Sequence, residues 1–392
     1  MRVRLVLAAL LVSAMAVAAG CGSSSSSGNG GSGSNGSSGP SLPQSIGPLE
    51  GSLNLIAWQG YTEDNVVKPF EKQTGCQVNV KYGQTSDEMY KLMQSGNYDG
   101  VSASGDASNR LIASGLVSPI NTNLISDFGD ISPQLQSPPH NTINGVHYGV
   151  SYQWGANILM YNKTVVSPAP DSWGVIFDGT SYKGKVDAYD SPIYIADAAL
   201  YLKSAQPDLK ITDPYELTQP QFDAAVNLLK KQHQQIGNYW SSFTAQIQDF
   251  TQGSIVIGPT WPYQLNTLKA AKVPVEAVLP KEGATGWADT WMEYSKAAHP
   301  NCMLKWMDYA TTPEVQAKTA YTFGSAPANP KACAILDKQV KNYCADYHVT
   351  DSNYFDHISF WKTPLSECGD SRGNTCVPYT EWFQAWTDIK NS

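Results

Sequence analysis

The sequence predicts an α/β fold built on largely parallel sheets. Three observations predict it. Strand-like alternating segments exchange with amphipathic helical ones from residue 53 onward. The 392 residues are enough for two domains and a sizeable core. A turn-rich break at 178–184 is followed by a second set of helices and a buried-type strand. Ligands of such sheets sit at the carboxyl ends of the strands.

Residues 53–58 alternate and predict the first strand. Thr62 or Asp64 can cap the helix after it, whose inner face carries Val66, Val67 and Phe70 and which stops at Gly75. Residues 76–82 alternate again. A helix over 86–94, a short strand over 99–104 and a helix over 106–114 complete the first run. Beyond the break, 193–202 and 222–232 have helical spacing, and 253–258 is a buried-type strand ending at Pro259, Thr260 and Trp261. Residues 303–310 and 313–322 predict two more helices, with Pro313 suited to a first turn.

Residues 1–20 have the pattern of a signal peptide: Arg2 and Arg4, an apolar core from Leu5, and the small residues Ala18, Ala19 and Gly20. Cys21 follows at once. Small residues and then Cys resemble the lipobox of bacterial lipoproteins, with Ala18 where Leu is usual. Residues 22–40 are almost only Ser, Gly and Asn, and 21–52 reads as a flexible tether. The chain is therefore expected at the outer face of the cytoplasmic membrane, held by lipid. Six further cysteines in an exported chain predict three disulfides. Of 15 connectivities, the local pairs Cys333–Cys344 and Cys368–Cys376 are preferred, which leaves Cys76 with Cys302.

A net charge of −8 with no basic run past the N-terminus argues against nucleic acid. No CxxC, HExxH or paired Cys/His spacing supports a metal site, and no cofactor is implied. Neither a GxSxG elbow nor a phosphate loop is present, although a carboxylate pair of an extracellular hydrolase is not excluded by counting acids. The 11 Trp and 21 Tyr suit a core or a stacking ligand site equally. One stretch is more specific. Trp287 and Asp289 lie two apart in an extended run, hence on one face. A carboxylate beside an aromatic plate suits an alkylammonium group; a surface acid beside a core tryptophan is the alternative.

Residues 55–61, Glu71-Lys72-Gln73-Thr74-Gly75, 148–157, and Pro280-Lys281-Glu282-Gly283 with Trp287-Ala288-Asp289 resemble, in order and spacing, the bacterial spermidine/putrescine-binding proteins. The resemblance covers about 53–330. It implies a solute receptor of an ABC importer, monomeric, without enzymatic activity, that hands a small cationic solute to a membrane permease. It also implies the type 2 periplasmic-binding-protein architecture: two α/β lobes that close on ligand around hinge crossings. Those crossings are expected near 154–158, 289–292 and 324–328. Lobe one is then 53–155 plus 290–324, and lobe two 156–289 plus 325–392.

Carried over by position, the resemblance implies ligand contacts at Trp58, Tyr61, Ser104, Trp287 and Asp289, with Asp190 near the family's lobe-two acids and Trp154 at a hinge or cleft wall. The second lobe-two acid falls at Tyr194, a lobe-one tyrosine at Asp106 and a hinge tyrosine at Ser325. Trp261 stands in for a tryptophan whose own position is Pro259. One acidic anchor is thus altered, and Asp106 is a candidate to replace it. Trp58 also fits a strand core, and Asp106 a helix cap. Other amines, quaternary ammonium solutes and cationic amino acids suit the same aromatic walls, and a ferric ion would call on tyrosines such as Tyr189, Tyr194 and Tyr201.

Overall fold

The computed structural model describes residues 42–392. The signal-peptide and Cys21 readings, and the tether up to residue 41, lie outside the described residues. The first run alternates as expected: β1 (Ser52–Ala57), α1 (Asp64–Thr74), β2 (Gln77–Tyr82), α2 (Ser86–Gln94), β3 (Gly100–Ala103) and α3 (Gly105–Ala113). Gly75 closes α1 with φ of 76°, a left-handed cap that glycine adopts without a Cβ penalty. The chain continues through β4 (Val150–Ala156), β5 (Ile158–Asn162), β6 (Val186–Tyr189), α4 (Ile195–Ala205), α5 (Gln219–His233), β7 (Ile236–Trp240), α6 (Phe243–Gln252), β8 (Ile257–Thr260), α7 (Pro262–Ala270) and β9 (Val275–Val278). It then returns as β10 (Ala284–Glu293), α8 (Pro300–Ala310), α9 (Pro313–Phe323), β11 (Ala326–Pro327), β12 (Ile358–Phe360) and α10 (Tyr379–Lys390).

Two sheets organise these elements. The first has the order β11-β4-β10-β3-β1-β2, with β12 beside β10; the second has the order β9-β5-β8-β6-β7. Each is mixed rather than mainly parallel. β1 runs parallel to β2 and β3, but β10 is antiparallel to β3 and β4. The cause is the path of the chain: β10 re-enters the first sheet from the second lobe and runs back along β4. In the second sheet β5 is likewise antiparallel to β8 and β9.

The expected lobe limits shift for the same reason. The first crossing is at Asn157, between β4 and β5. The second comes earlier than 289–292, because Gly286 and Trp287 already pair with Ala156 and Gly155. Residues 284–289 therefore belong to the first sheet. The segment 324–328 does not cross, since Ala326 and Pro327 pair with Trp154 and Gln153. The C-terminal part expected in lobe two divides. Ala326, Ala328, Ala332 and Leu336 pack with Trp154, Ala317 and Ala320 on lobe one, whereas α10 lies on lobe two, with Trp382 against Phe222 of α5 at 5.7 Å.

The tether limit also moves. Asn121 Nδ2 donates to the Pro43 carbonyl at 2.9 Å, and Gly47 N to Asn301 Oδ1 at 2.6 Å. Glu50 accepts from the backbone N–H groups of Asn301 and Cys302 at 3.0 and 2.9 Å. A carboxylate is favoured there because the first turn of α8 leaves its N–H groups unpaired. The chain is thus fixed on lobe one from about residue 43 rather than from 53. All three expected disulfides form, Cys76–Cys302, Cys333–Cys344 and Cys368–Cys376.

Candidate ligand-binding cleft

The floor of the cleft is Asp289, 2% exposed, on β10. The pairing of β10 with β4 shifts register between Ala288 and Thr290, and such irregularities re-aim the side chain they carry. Two hydroxyls hold the carboxylate. Ser104 Oγ donates to Oδ1 at 2.5 Å and Tyr61 OH donates to Oδ2 at 2.5 Å. Ser104 is the N-cap residue of α3, yet its hydroxyl makes no cap bond and goes to Asp289 instead. Tyr61 is fully buried and gripped edge-on by Tyr152 and Phe323, with ring centroids 5.2 and 4.9 Å away.

Burial pushes the Asp289 carboxyl up to about 7, against the pull of the Ser104 and Tyr61 bonds, and the Asp106 charge adds to the rise. The Tyr61 phenol is raised well above its usual value by burial and by the charge of Asp289, so it remains an O–H donor. No cation is paired with Asp289 among the described residues. A buried carboxylate in that state is poised to gain a positive partner.

Aromatic plates stand around the acid. Trp58, at the end of β1, Trp287 and Phe323 lie on the lobe-one side, Trp261 and Phe243 on the lobe-two side, and Trp361 comes from the segment after β12. Trp287 meets Phe323 edge-on at 5.6 Å and Trp261 at 6.5 Å. Trp361 stacks on Tyr189 at 5.7 Å. The polar remainder of the wall is neutral: Gln59, Gln84, Ser104, Ser241 and Ser242. The walls stand close together over Asp289, with about 40 Å³ of free space between them. Gly155 makes room for the Trp287 ring, because a Cβ there would stand 2.6 Å from it. Gly155→Ala is therefore expected to displace Trp287 and weaken ligand binding about ten-fold, an overpacking cost of roughly 1–2 kcal/mol. Calorimetric titration checks it.

Of the residues singled out in the sequence, Trp58, Ser104, Trp261, Trp287 and Asp289 meet in this cleft, and Tyr61 touches it through Asp289. Asp106 is fully buried just behind the wall. Its Oδ1 accepts from Ser86 at 2.8 Å and its Oδ2 has no partner. The others lie elsewhere. Asp190 accepts from Lys390 Nζ at 2.7 Å and Trp386 Nε1 at 2.9 Å, so α10 already neutralises it. Tyr194 is in the lobe-two core, where its hydroxyl accepts from Gln232 at 3.1 Å. Ser325 donates to Gln153 at 2.7 Å inside lobe one. Trp154 packs against Phe355 and Phe360 rather than on the wall. Phe243, Phe323 and Trp361 were not foreseen. Phe243 follows the end of strand β7, so the strand-end rule could have found it. Nothing local marks Phe323 or Trp361.

Comparison with known proteins places the chain in a family. Residues 65–345 match the family model described as bacterial extracellular solute-binding protein. The spermidine/putrescine-binding periplasmic protein of Escherichia coli is 26% identical over 295 residues, covering 74% of this chain and 81% of its own. The putrescine/cadaverine-binding protein of Pseudomonas aeruginosa is 23% identical over 310 residues, covering 75% and 84%. A putative spermidine/putrescine ABC transporter structure from Listeria monocytogenes superposes with a TM-score of 0.72 at 17% identity, over 87% of this chain and 99% of its own. With the fold matched to that of such proteins and the family model spanning most of the described chain, this protein belongs to the bacterial extracellular solute-binding proteins.

Proposed function

We propose that this protein is the exported receptor of an ABC importer for a polyamine-class solute, of the putrescine or spermidine kind, which it hands to a membrane permease. One observation carries the reading: a buried carboxylate, Asp289, braced by two hydroxyls, lacking a cation and ringed by indoles. An ammonium group takes the carboxylate, and its methylene chain lies along Trp58, Trp287 and Trp261. The named relatives support the choice of solute. The second ammonium of a diamine is assigned to Asp106. Its Oδ2 has no hydrogen-bond partner; the Arg110 guanidinium, which donates to Asp87 at 2.7 Å, acts on it only through its charge. Lobe closure around the solute dries the site, strengthens both pairs and makes the form that a permease can recognise. The receptor acts as a lipid-anchored monomer through Cys21 and performs no reaction.

Titration calorimetry with putrescine, spermidine, glycine betaine and arginine tests the reading. Saturable binding of a polyamine in preference to the other two is expected; heat from glycine betaine or arginine alone would replace the polyamine by that solute. Asp106→Asn is expected to weaken putrescine at least about 100-fold and to leave a monoamine such as butylamine unchanged, because breaking a buried charge pair costs roughly 3–5 kcal/mol. Equal putrescine affinity in the variant removes Asp106 from the site.

A further inference from the structure

Four tryptophans stand on the cleft wall, and among the described residues the indole N–H groups of Trp58, Trp287 and Trp361 have no partner. Trp261 differs. Its Nε1 donates to Asn157 Oδ1 at 2.9 Å. Asn157 Nδ2 then donates to Thr285 Oγ1 at 2.7 Å, and the Thr285 hydroxyl donates to Asp197 Oδ1 at 2.8 Å. The three relay residues are 6%, 0% and 5% exposed in that order. Asn157 is the crossing residue between β4 and β5. Thr285 is the second residue of β10, just past the other crossing, and Asp197 is on α4 of lobe two. The backbone ties the same points, because Asn157 N donates to the Thr285 carbonyl at 2.8 Å.

We propose that Asn157, Thr285 and Asp197 are positioning residues that set the pose of the Trp261 plate and bind it to both hinge crossings. The direction of the chain is the argument. In its ionised form, which dominates above about pH 7, Asp197 can only accept, so Thr285 then donates to it. The Thr285 oxygen is then free to accept from the Asn157 amide, which turns Asn157 Oδ1 toward the indole. Every donor points toward Asp197, and consecutive bonds of one sense strengthen each other in a dry interior. The other three cleft indoles show that packing alone does not require such a partner. A plate held through both crossings moves with the hinge, so it is in its ligand-bearing pose when the lobes are. The ligand side of the inference rests on the cleft being the solute site; the pose of the plate does not.

Asp197→Leu and Thr285→Val roughly keep volume while removing, respectively, the terminal acceptor and the middle link. The test uses residues 42–392, which hold all three disulfides and form one compact unit, labelled with nitrogen-15. The Trp261 indole resonance is identified by Trp261→Phe. In the ligand-free protein the indole proton is expected to move upfield in both variants and to exchange faster with water, with altered ring contacts to Trp240, whose centroid is 5.0 Å away. Putrescine affinity is expected to fall about ten-fold. An indole resonance and ring contacts unchanged in both variants overturn the proposal. A wild type that ignores putrescine fails the polyamine reading and leaves the ligand-free result to decide the relay. A variant that does not fold is replaced by a pH titration within Asp289→Asn. Burial lifts Asp197 to about 7, and the titratable groups that feel it, Tyr194 and Tyr215, are kept as neutral phenols by burial. The Trp261 indole is then expected to titrate with a midpoint near 7, and a flat profile from pH 5.5 to 8.5 overturns the relay.

Discussion

Asp289→Asn abolishes useful affinity for an alkylammonium solute, with an expected loss of at least about 100-fold. Removing one partner of a buried ion pair costs roughly 3–5 kcal/mol, and each 1.4 kcal/mol is a factor of ten. The loss is large because the rest of the wall is neutral, so the ammonium bound at Asp289 would be buried with no charge beside it. Asn keeps the shape of the side chain and an acceptor for Ser104 or Tyr61, so the fold is expected to survive. Calorimetry on wild type and variant, with a melting curve for each, separates lost binding from lost structure. A dissociation constant within about three-fold of wild type would remove Asp289 as the anchor.

The same carboxylate makes the ligand-free protein more stable in mild acid than at neutral pH. Its folded pKa of about 7 lies above the ordinary 3.8, so the folded state holds a proton that the unfolded state has released. That contribution is fully present below the unfolded value and is lost as pH rises through about 7. The whole shift corresponds to roughly 4 kcal/mol, of which about 2 kcal/mol falls between pH 5.5 and 7.5. Asp106, raised to about 6, and Asp197, raised to about 7, both by burial, act in the same direction. Glu216 acts the other way. Burial opposes its charge, yet Lys362 and the Gly369 N–H hold its pKa below the usual value, so its contribution fades only in stronger acid. The melting temperature of ligand-free protein is expected to be several degrees higher at pH 5.5 than at pH 7.5. Asp289→Asn should shrink the difference. A saturating cationic solute should reverse it, because the ion pair needs the carboxylate ionised. A ligand-free melting temperature that rises from pH 5.5 to 7.5 would mean that these acids are not held protonated.

The parts of the fold and site that were legible in the sequence are those set by short-range pattern. Period-two spacing placed Trp287 and Asp289 on one face, and alternating strands and helices foretold β1 through α3. The pairing of cysteines followed from two short loops and one remainder. What stayed hidden depends on distant residues. Asp190 looks like a free acid until Lys390, 200 positions away, is seen to neutralise it. The sense of β10 is set by its return from lobe two, which no local pattern records. Trp361 reaches the wall only because β12 pairs with the start of β10. The lobe assignment of 325–392 missed because one continuous segment serves both lobes in turn.

The contacts of Pro43, Gly47 and Glu50 bear on mechanics. They clip the N-terminal end of the described chain to α8 and its neighbourhood, all on lobe one. Any pull exerted from upstream, as by a membrane anchor, is therefore delivered to that lobe alone. With the proposed anchor at Cys21, lobe one is the moored jaw and lobe two the swinging one. Opening and closing can then proceed without dragging the attachment point.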